Sequence, residues 1–201
     1  MNDFFLYKGP GIPDELFIRG EVPMTREEIR VISLAKARLG PGQVVWDVGS
    51  GTGSIAVEAA LLAPGGQVWA VERSAGGCRL IRENCSRFDV PEVRVVQGEA
   101  PGALADLPRP DRVIVGGSGG KLREILDLIR EKMLPGGRLV INAVTLETLT
   151  GTLDFLRAGC QCEIVQVAVS KSLQLGSSRV MKPYHPVYII SAWGWGDDVG
   201  G

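Results

Sequence analysis

Five short runs rich in β-branched residues, at 44–48, 68–72, 93–96, 112–115 and 138–142, alternate with segments whose apolar positions recur at steps of three and four. The stripes are Cys78, Ile81, Cys85 and Phe88; then Leu122, Ile125, Ile129 and Met133; then Leu146, Leu149, Leu153 and Leu156. That spacing puts one apolar face on a helix, so the alternation predicts βαβ units and five parallel strands. Gly40-Pro41-Gly42, Pro64-Gly65-Gly66 and Pro135-Gly136-Gly137 stand where helices should stop before the next strand. After residue 159 the pattern changes. Residues 162–169 and 187–192 are strand-like with no helical stripe between them, which predicts an antiparallel pair at one edge of the sheet.

Ahead of the first strand, Thr25-Arg26-Glu27-Glu28 has the spacing of a capping box, predicting a helix over 26–38. Residues 1–24 carry Gly9, Pro10, Gly11, Pro13, Gly20 and Pro23 without periodicity. They read as an irregular arm lying over a ligand cleft or against a neighbouring subunit. The chain therefore divides into an arm (1–24), one domain (25–194) and a flexible Gly-rich tail (195–201), with fraying expected from Trp193.

Composition narrows the class. A chain of 201 residues with 45% apolar and 22% charged positions is a single globular domain and not a disordered regulator. Its net charge of −1 supplies no strongly basic surface for a phosphate backbone, so nucleic acid is not expected as the main partner. No apolar run is long enough to cross a bilayer, and Met1-Asn2-Asp3-Phe4-Phe5 has no basic leader, so a soluble cytoplasmic protein is expected. The four cysteines form no CxxC pair and read as small apolar core residues, while the single histidine, His185, argues against a metal site. No Ser/His/Asp or Cys/His nucleophile set is visible.

The sharpest chemical signal is the run Trp46-Asp47-Val48-Gly49-Ser50-Gly51-Thr52-Gly53-Ser54, a strand entering Asp-x-Gly-x-Gly-x-Gly and then a helix. Glycines let the backbone turn sharply and let a ligand approach. A dinucleotide fingerprint places its third glycine at residue 54, which is Ser here. The spacing instead suits the methionine end of S-adenosyl-L-methionine, with Asp47 orienting it by hydrogen bonds. Glu72, ending the second strand, can accept both ribose hydroxyls of an adenosine, or is a surface charge. Gly98-Glu99-Ala100, after the third strand, suits an adenine ring, or is an ordinary strand-to-helix turn. Gly116-Gly117-Ser118-Gly119-Gly120, after the fourth, offers a run of backbone amides at a helix start for a carboxylate or phosphate, or simply makes room for helix packing. Lys171, Arg179 and Lys182, in a long loop over 171–185, with Arg19 and Lys121, could form a basic rim for an acidic substrate; the loop could equally be a solvated hairpin. Five parallel strands followed by an antiparallel pair complete an α/β reading: a Rossmann-like, seven-stranded, mostly parallel sheet of the S-adenosylmethionine-dependent methyltransferase type, with helices on both faces.

Ile12-Pro13-Asp14-Glu15, Phe17-Ile18-Arg19, Val22-Pro23-Met24-Thr25, the glycine turn at 49–53, Gly116-Gly117-Ser118-Gly119-Gly120 and Pro186-Val187-Tyr188-Ile189-Ile190 together resemble the cobalt-precorrin C15-methyltransferases (decarboxylating) of cobalamin biosynthesis, over about residues 11 to 194. The resemblance implies that S-adenosyl-L-methionine is held by Thr25, the glycine turn (Gly49, Ser50, Gly51, Thr52, Gly53), Glu72 and Ala100. Glu72 stands where Asp is more usual. It further implies a cobalt-precorrin substrate, methylation at the C15 meso carbon, loss of the ring C acetate carboxyl as carbon dioxide, and a homotetramer. The likeness is to the stand-alone form, without a C5-methylating domain on the same chain. Two alternatives stay open on sequence: a methyltransferase of the same fold acting on RNA or protein, and a non-catalytic S-adenosylmethionine-binding subunit.

Overall fold

A computed structural model describes residues 9–157 and 159–195. The elements run α1 (Glu27–Ala37), β1 (Val44–Val48), α2 (Ser54–Leu62), β2 (Gln67–Glu72), α3 (Ala75–Phe88), β3 (Val93–Gln97), β4 (Arg112–Val115), α4 (Leu122–Lys132), β5 (Arg138–Ala143), α5 (Leu146–Leu156), β6 (Gln161–Val167), β7 (Ser170–Leu175), β8 (Ser178–Pro183) and β9 (Val187–Trp193). One seven-stranded sheet has the order β3-β2-β1-β4-β5-β9-β6. The pairs joining β1 to β5 are parallel, and β9 lies antiparallel between β5 and β6.

The pleat divides the core in two. Val45 faces α1, α2 and α3, while its neighbour Trp46 faces α4 and α5, and both are fully buried. Strands buried on both faces read as continuous apolar runs, which is why β1, β2, β4 and β5 were visible within a residue or two; β3, at the sheet edge and partly exposed, was legible from its β-branched Val93, Val95 and Val96. The arm is anchored by the same core: Ile12 and Phe17 are buried, and Phe17 stacks on Phe88 at 4.8 Å.

Several local expectations are corrected. The capping box does not form. Arg26 is extended before α1 and makes no side-chain cap, while the Thr25 carbonyl accepts from Arg30 Nη1 at 2.6 Å and the Glu28 carboxylate goes to Lys171. α1 ends on Arg38 in the left-handed region rather than on a glycine. In α5 the buried side is Thr152, Phe155 and Leu156, and Leu146 is exposed, because this helix packs through its C-terminal half. Segment 171–185 is mostly a β-hairpin, β7 paired with β8, exposed almost throughout. Chain order is kept past Trp193, whose indole donates to Gln161 Oε1 at 2.8 Å, and Trp195 packs on Phe155. The rest of the expected tail, 196–201, and the first part of the arm, 1–8, lie outside the described residues. Cys78 is buried as expected, but Cys162 is exposed on the edge strand β6.

Candidate functional site

The carboxyl ends of β1, β2, β3 and β4 meet at one cleft of about 300 Å³, at the position where open α/β sheets bind ligands. After β1 the chain turns through Gly49, Gly51 and Gly53 at φ 73°, 59° and 81°. The amides of Gly49 and Ser50 donate to Val71 O at 3.0 and 3.1 Å, strapping the turn to β2. Glycine is required here by contact as well as by φ. A Cβ at residue 49 would lie 2.7 Å from the backbone of Gly117, and one at residue 51 would lie 2.5 Å from Pro23 O.

Glu72 holds the turn from the other side. Its Oε2 accepts from Gly51 N at 3.0 Å and its Oε1 from Ser74 N at 2.8 Å, leaving lone pairs toward the cleft that it lines. Asp47 lies beneath, fully buried. Burial pushes its carboxyl up to about 7; the Ser50 hydroxyl, donating to Oδ2 at 2.5 Å, opposes that shift and the nearby Glu72 charge adds to it. Its Oδ1 has no hydrogen-bond partner.

Of the residues singled out in the sequence, Gly49, Gly51, Glu72, Gly98, Glu99, Ala100, Gly116, Gly117, Ser118 and Gly119 line this cleft together. Thr25, Asp47, Ser50, Thr52 and Gly53 do not; Asp47 and Thr52 are buried behind the turn. The run of free amides expected at 116–120 is corrected in part. Gly116 N and Gly117 N both point back to Val48 O, at 2.8 and 3.4 Å, because these glycines continue the β4 ladder against β1. Lys121 is not a free cation either: its Nζ donates to Glu99 Oε2 at 2.7 Å and holds that carboxyl below its usual range. Arg19 and Lys171 line a neighbouring cavity, whereas Arg179 and Lys182 stand exposed on the hairpin.

Sequence reasoning missed Arg73 and Ser74, which line the cleft directly after Glu72; the arm, expected over a ligand cleft, roofs it through Val22 and Pro23. Adjacency to Glu72 was the available signal for the first pair. For the second the signal was the arm's irregular, Gly- and Pro-rich run ahead of α1, ending in Val22-Pro23-Met24-Thr25.

A glycine turn after β1, a carboxylate ending β2 and an antiparallel β9 slotted between β5 and β6 define the S-adenosylmethionine-dependent methyltransferase fold. The structure of a SAM-dependent O-methyltransferase from Thermotoga maritima superposes with a TM-score of 0.70 at 15% identity, covering 85% of this chain and 66% of that one, a likeness of fold alone. The sequence profile of the precorrin methyltransferase domain matches residues 15–193, and the chain belongs to that family. The cobalt-precorrin-6B C(15)-methyltransferase (decarboxylating) of Salmonella typhimurium is 40% identical over 181 residues, 89% of this chain and 93% of that protein. The crystal structure titled precorrin-6y C5,15-methyltransferase from Geobacter metallireducens is 41% identical, with a TM-score of 0.86 over 91% of this chain and 97% of that one. The family resemblance drawn from the sequence is thus borne out.

Proposed function

We propose that this protein uses S-adenosyl-L-methionine to methylate the C15 meso carbon of cobalt-precorrin-6B, with decarboxylation of the ring C acetate, in cobalamin biosynthesis. The observation that carries this reading is the cleft, in which the glycine turn, Glu72, Gly98-Glu99-Ala100 and the roof from the arm converge, within a chain that matches the named relatives nearly end to end.

The residues present fit the methyl donor. Positive-φ glycines let the turn pack closely against Gly117 and Pro23 at the cleft wall, and Glu72 offers acceptors suited to ribose hydroxyls. Gly49, Gly51, Glu72, Gly98, Glu99 and Ala100 would hold the cofactor, with Arg73 and Ser74 beside them and Asp47 supporting the turn. When bound, S-adenosylmethionine supplies an electrophilic sulfonium methyl. The protein's part is to orient the acceptor carbon, which supplies several kcal/mol of the barrier at the order of magnitude of intramolecular reactions, and to exclude water under Val22 and Pro23.

A homotetramer is part of the proposal. The hairpin exposes Leu173, Leu175, Val180 and Met181, apolar side chains that self-association would cover. The proposed compartment is the cytoplasm, which suits four free thiols.

The test is mass spectrometry of cobalt-precorrin-6B after incubation with the protein and S-adenosylmethionine. Gain of a methyl group with loss of carbon dioxide is the expected result. A methyl gain alone removes decarboxylation from this protein, and no change despite cofactor binding removes the proposed acceptor.

A further inference from the structure

A second cavity, of about 430 Å³, adjoins the cofactor cleft and shares Val22 with it. Its walls come from three separate parts of the chain: the arm (Asp14, Glu15, Arg19), the start of α1 (Arg26), and the hairpin with its exit (Lys171, Tyr184). An acidic substrate entering from this side meets several cations, and their existing partners separate them. Lys171 is bonded to Glu28 Oε1 at 2.7 Å. Lys121 is bonded to Glu99. Arg179 is held by Gln174 on the hairpin, outside the cavity.

Arg26 differs. Its guanidinium carbon sits 3.9 Å from the centroid of the Tyr184 ring, a stacked arrangement that fixes the plane and leaves the N–H edge free. Among the described residues no carboxylate or carbonyl accepts a hydrogen bond from it. Arg19 donates Nε to Asp14 O at 3.1 Å, and its terminal nitrogens make no hydrogen bond among the described residues. Of the acids at the cavity, Asp14 is paired with Arg30 at 3.1 Å, and Glu15 has no ion-pair partner among the described residues. The donors left for an incoming group are therefore guanidinium N–H groups, which match a carboxylate with two parallel N–H···O bonds.

We infer that Arg26, stacked on Tyr184, is the fork that takes a peripheral carboxylate of the substrate, with Arg19 as its neighbour in the same cavity. This rests on the proposed function and deepens it, since a tetrapyrrole with acetate and propionate arms presents carboxylates around a ring whose reacting edge must reach the adjoining cleft. Arg26 precedes α1 with extended backbone because the capping box does not form, and that conformation sets it beside the hairpin. The same stack joins the start of α1 to the exit of the hairpin, so the carboxylate subsite exists only when both are in place.

The experiment measures binding of cobalt(III) uroporphyrin, a ring bearing acetate and propionate arms, and separately of S-adenosylmethionine, to the full chain and to variants. Arg26→Gln is expected to weaken the porphyrin about tenfold or more, the scale of a lost charge-assisted pair, with S-adenosylmethionine binding unchanged. Arg26→Lys, which keeps the charge without the planar fork, is expected to stay nearly as weak, and Tyr184→Ala to fall between. The same ring with its carboxylates converted to amides should bind wild type and Arg26→Gln alike. Wild-type porphyrin affinity in Arg26→Gln, or in Arg26→Lys should Arg26→Gln fail to fold, overturns the fork. A wild-type protein that binds S-adenosylmethionine and no carboxylated ring overturns the proposed substrate, and the fork with it.

Discussion

The backbone of Gly51 lies so close to the carbonyl of Pro23 that a Cβ at residue 51 would stand 2.5 Å from that oxygen. The arm is thereby seated on the glycine turn, and the roof of the cleft and its floor are one contact. Gly51→Ala meets a left-handed φ of 59°, costing about 1–2 kcal/mol, and a backbone atom that cannot swing away. Calorimetric titration is expected to show S-adenosylmethionine binding lost, and urea unfolding to show destabilisation by at least that strain.

Gly77 sets two effects against each other. It lies in α3, where alanine is better than glycine by about 1 kcal/mol, yet its Cβ would lie 2.6 Å from Glu72 Cγ, an atom too near the backbone to move aside freely. Displacing Glu72 breaks its bond to Gly51 N. Gly77→Ala is expected to leave unfolding stability within about 1 kcal/mol of wild type, since the two terms oppose, while weakening S-adenosylmethionine at least several-fold. Unchanged affinity would show that Glu72 does not serve the cofactor.

Asp47 makes stability depend on pH. Its carboxyl is raised by burial from 3.8 to about 7 in the folded protein. Over that interval the folded state holds a proton that the unfolded chain has released, so this group's stabilisation is complete at lower pH and is lost as pH rises toward 7. Asp47→Asn is expected to flatten that slope in urea unfolding followed from pH 5 to 8, and to gain relative to wild type at the alkaline end. An identical slope in both proteins would sink the assignment.

Glu58 anchors the arm. Its carboxylate accepts from Gly11 N, Ile12 N and the fully buried Arg30, whose other nitrogens reach Asp14 and the carbonyls of Ile12 and Thr25. Removing Glu58 leaves the buried Arg30 with Asp14 as its one remaining carboxylate and takes the acceptor from two backbone amides, a loss of about 3–5 kcal/mol. Glu58→Ala is expected to lower stability by that order in urea unfolding, and in a double-mutant cycle Arg30→Met with Glu58→Ala should cost less than the sum of the singles.

Lys121 and Glu99 face each other at the cleft mouth, both about half exposed. A pair this open to solvent is screened and adds little to stability. Lys121→Gln should leave thermal unfolding nearly unchanged and the substrate KM within about twofold, the scale of a solvent-screened pair; a large rise in KM would restore Lys121 to the substrate site.

The strands, the order of the elements, the glycine turn and Glu72 were legible because each is a local demand. A strand buried on both faces must be apolar throughout, and a turn with positive φ must be glycine, whatever lies elsewhere in the chain. What the tertiary structure alone decided is which groups meet. Thr25-x-x-Glu28 has capping spacing, yet Glu28 found Lys171 and Arg26 found Tyr184, partners about 150 residues away in the chain. Five cations looked equivalent in sequence; Lys121 and Lys171 are neutralised by acids that no spacing rule connects to them. Pro23 became a cleft residue because Ile12 and Phe17 bury in a core made by other elements. Periodicity and backbone geometry act over a few residues, whereas charge pairing and cavity walls depend on distances that exist only once the chain has closed on itself.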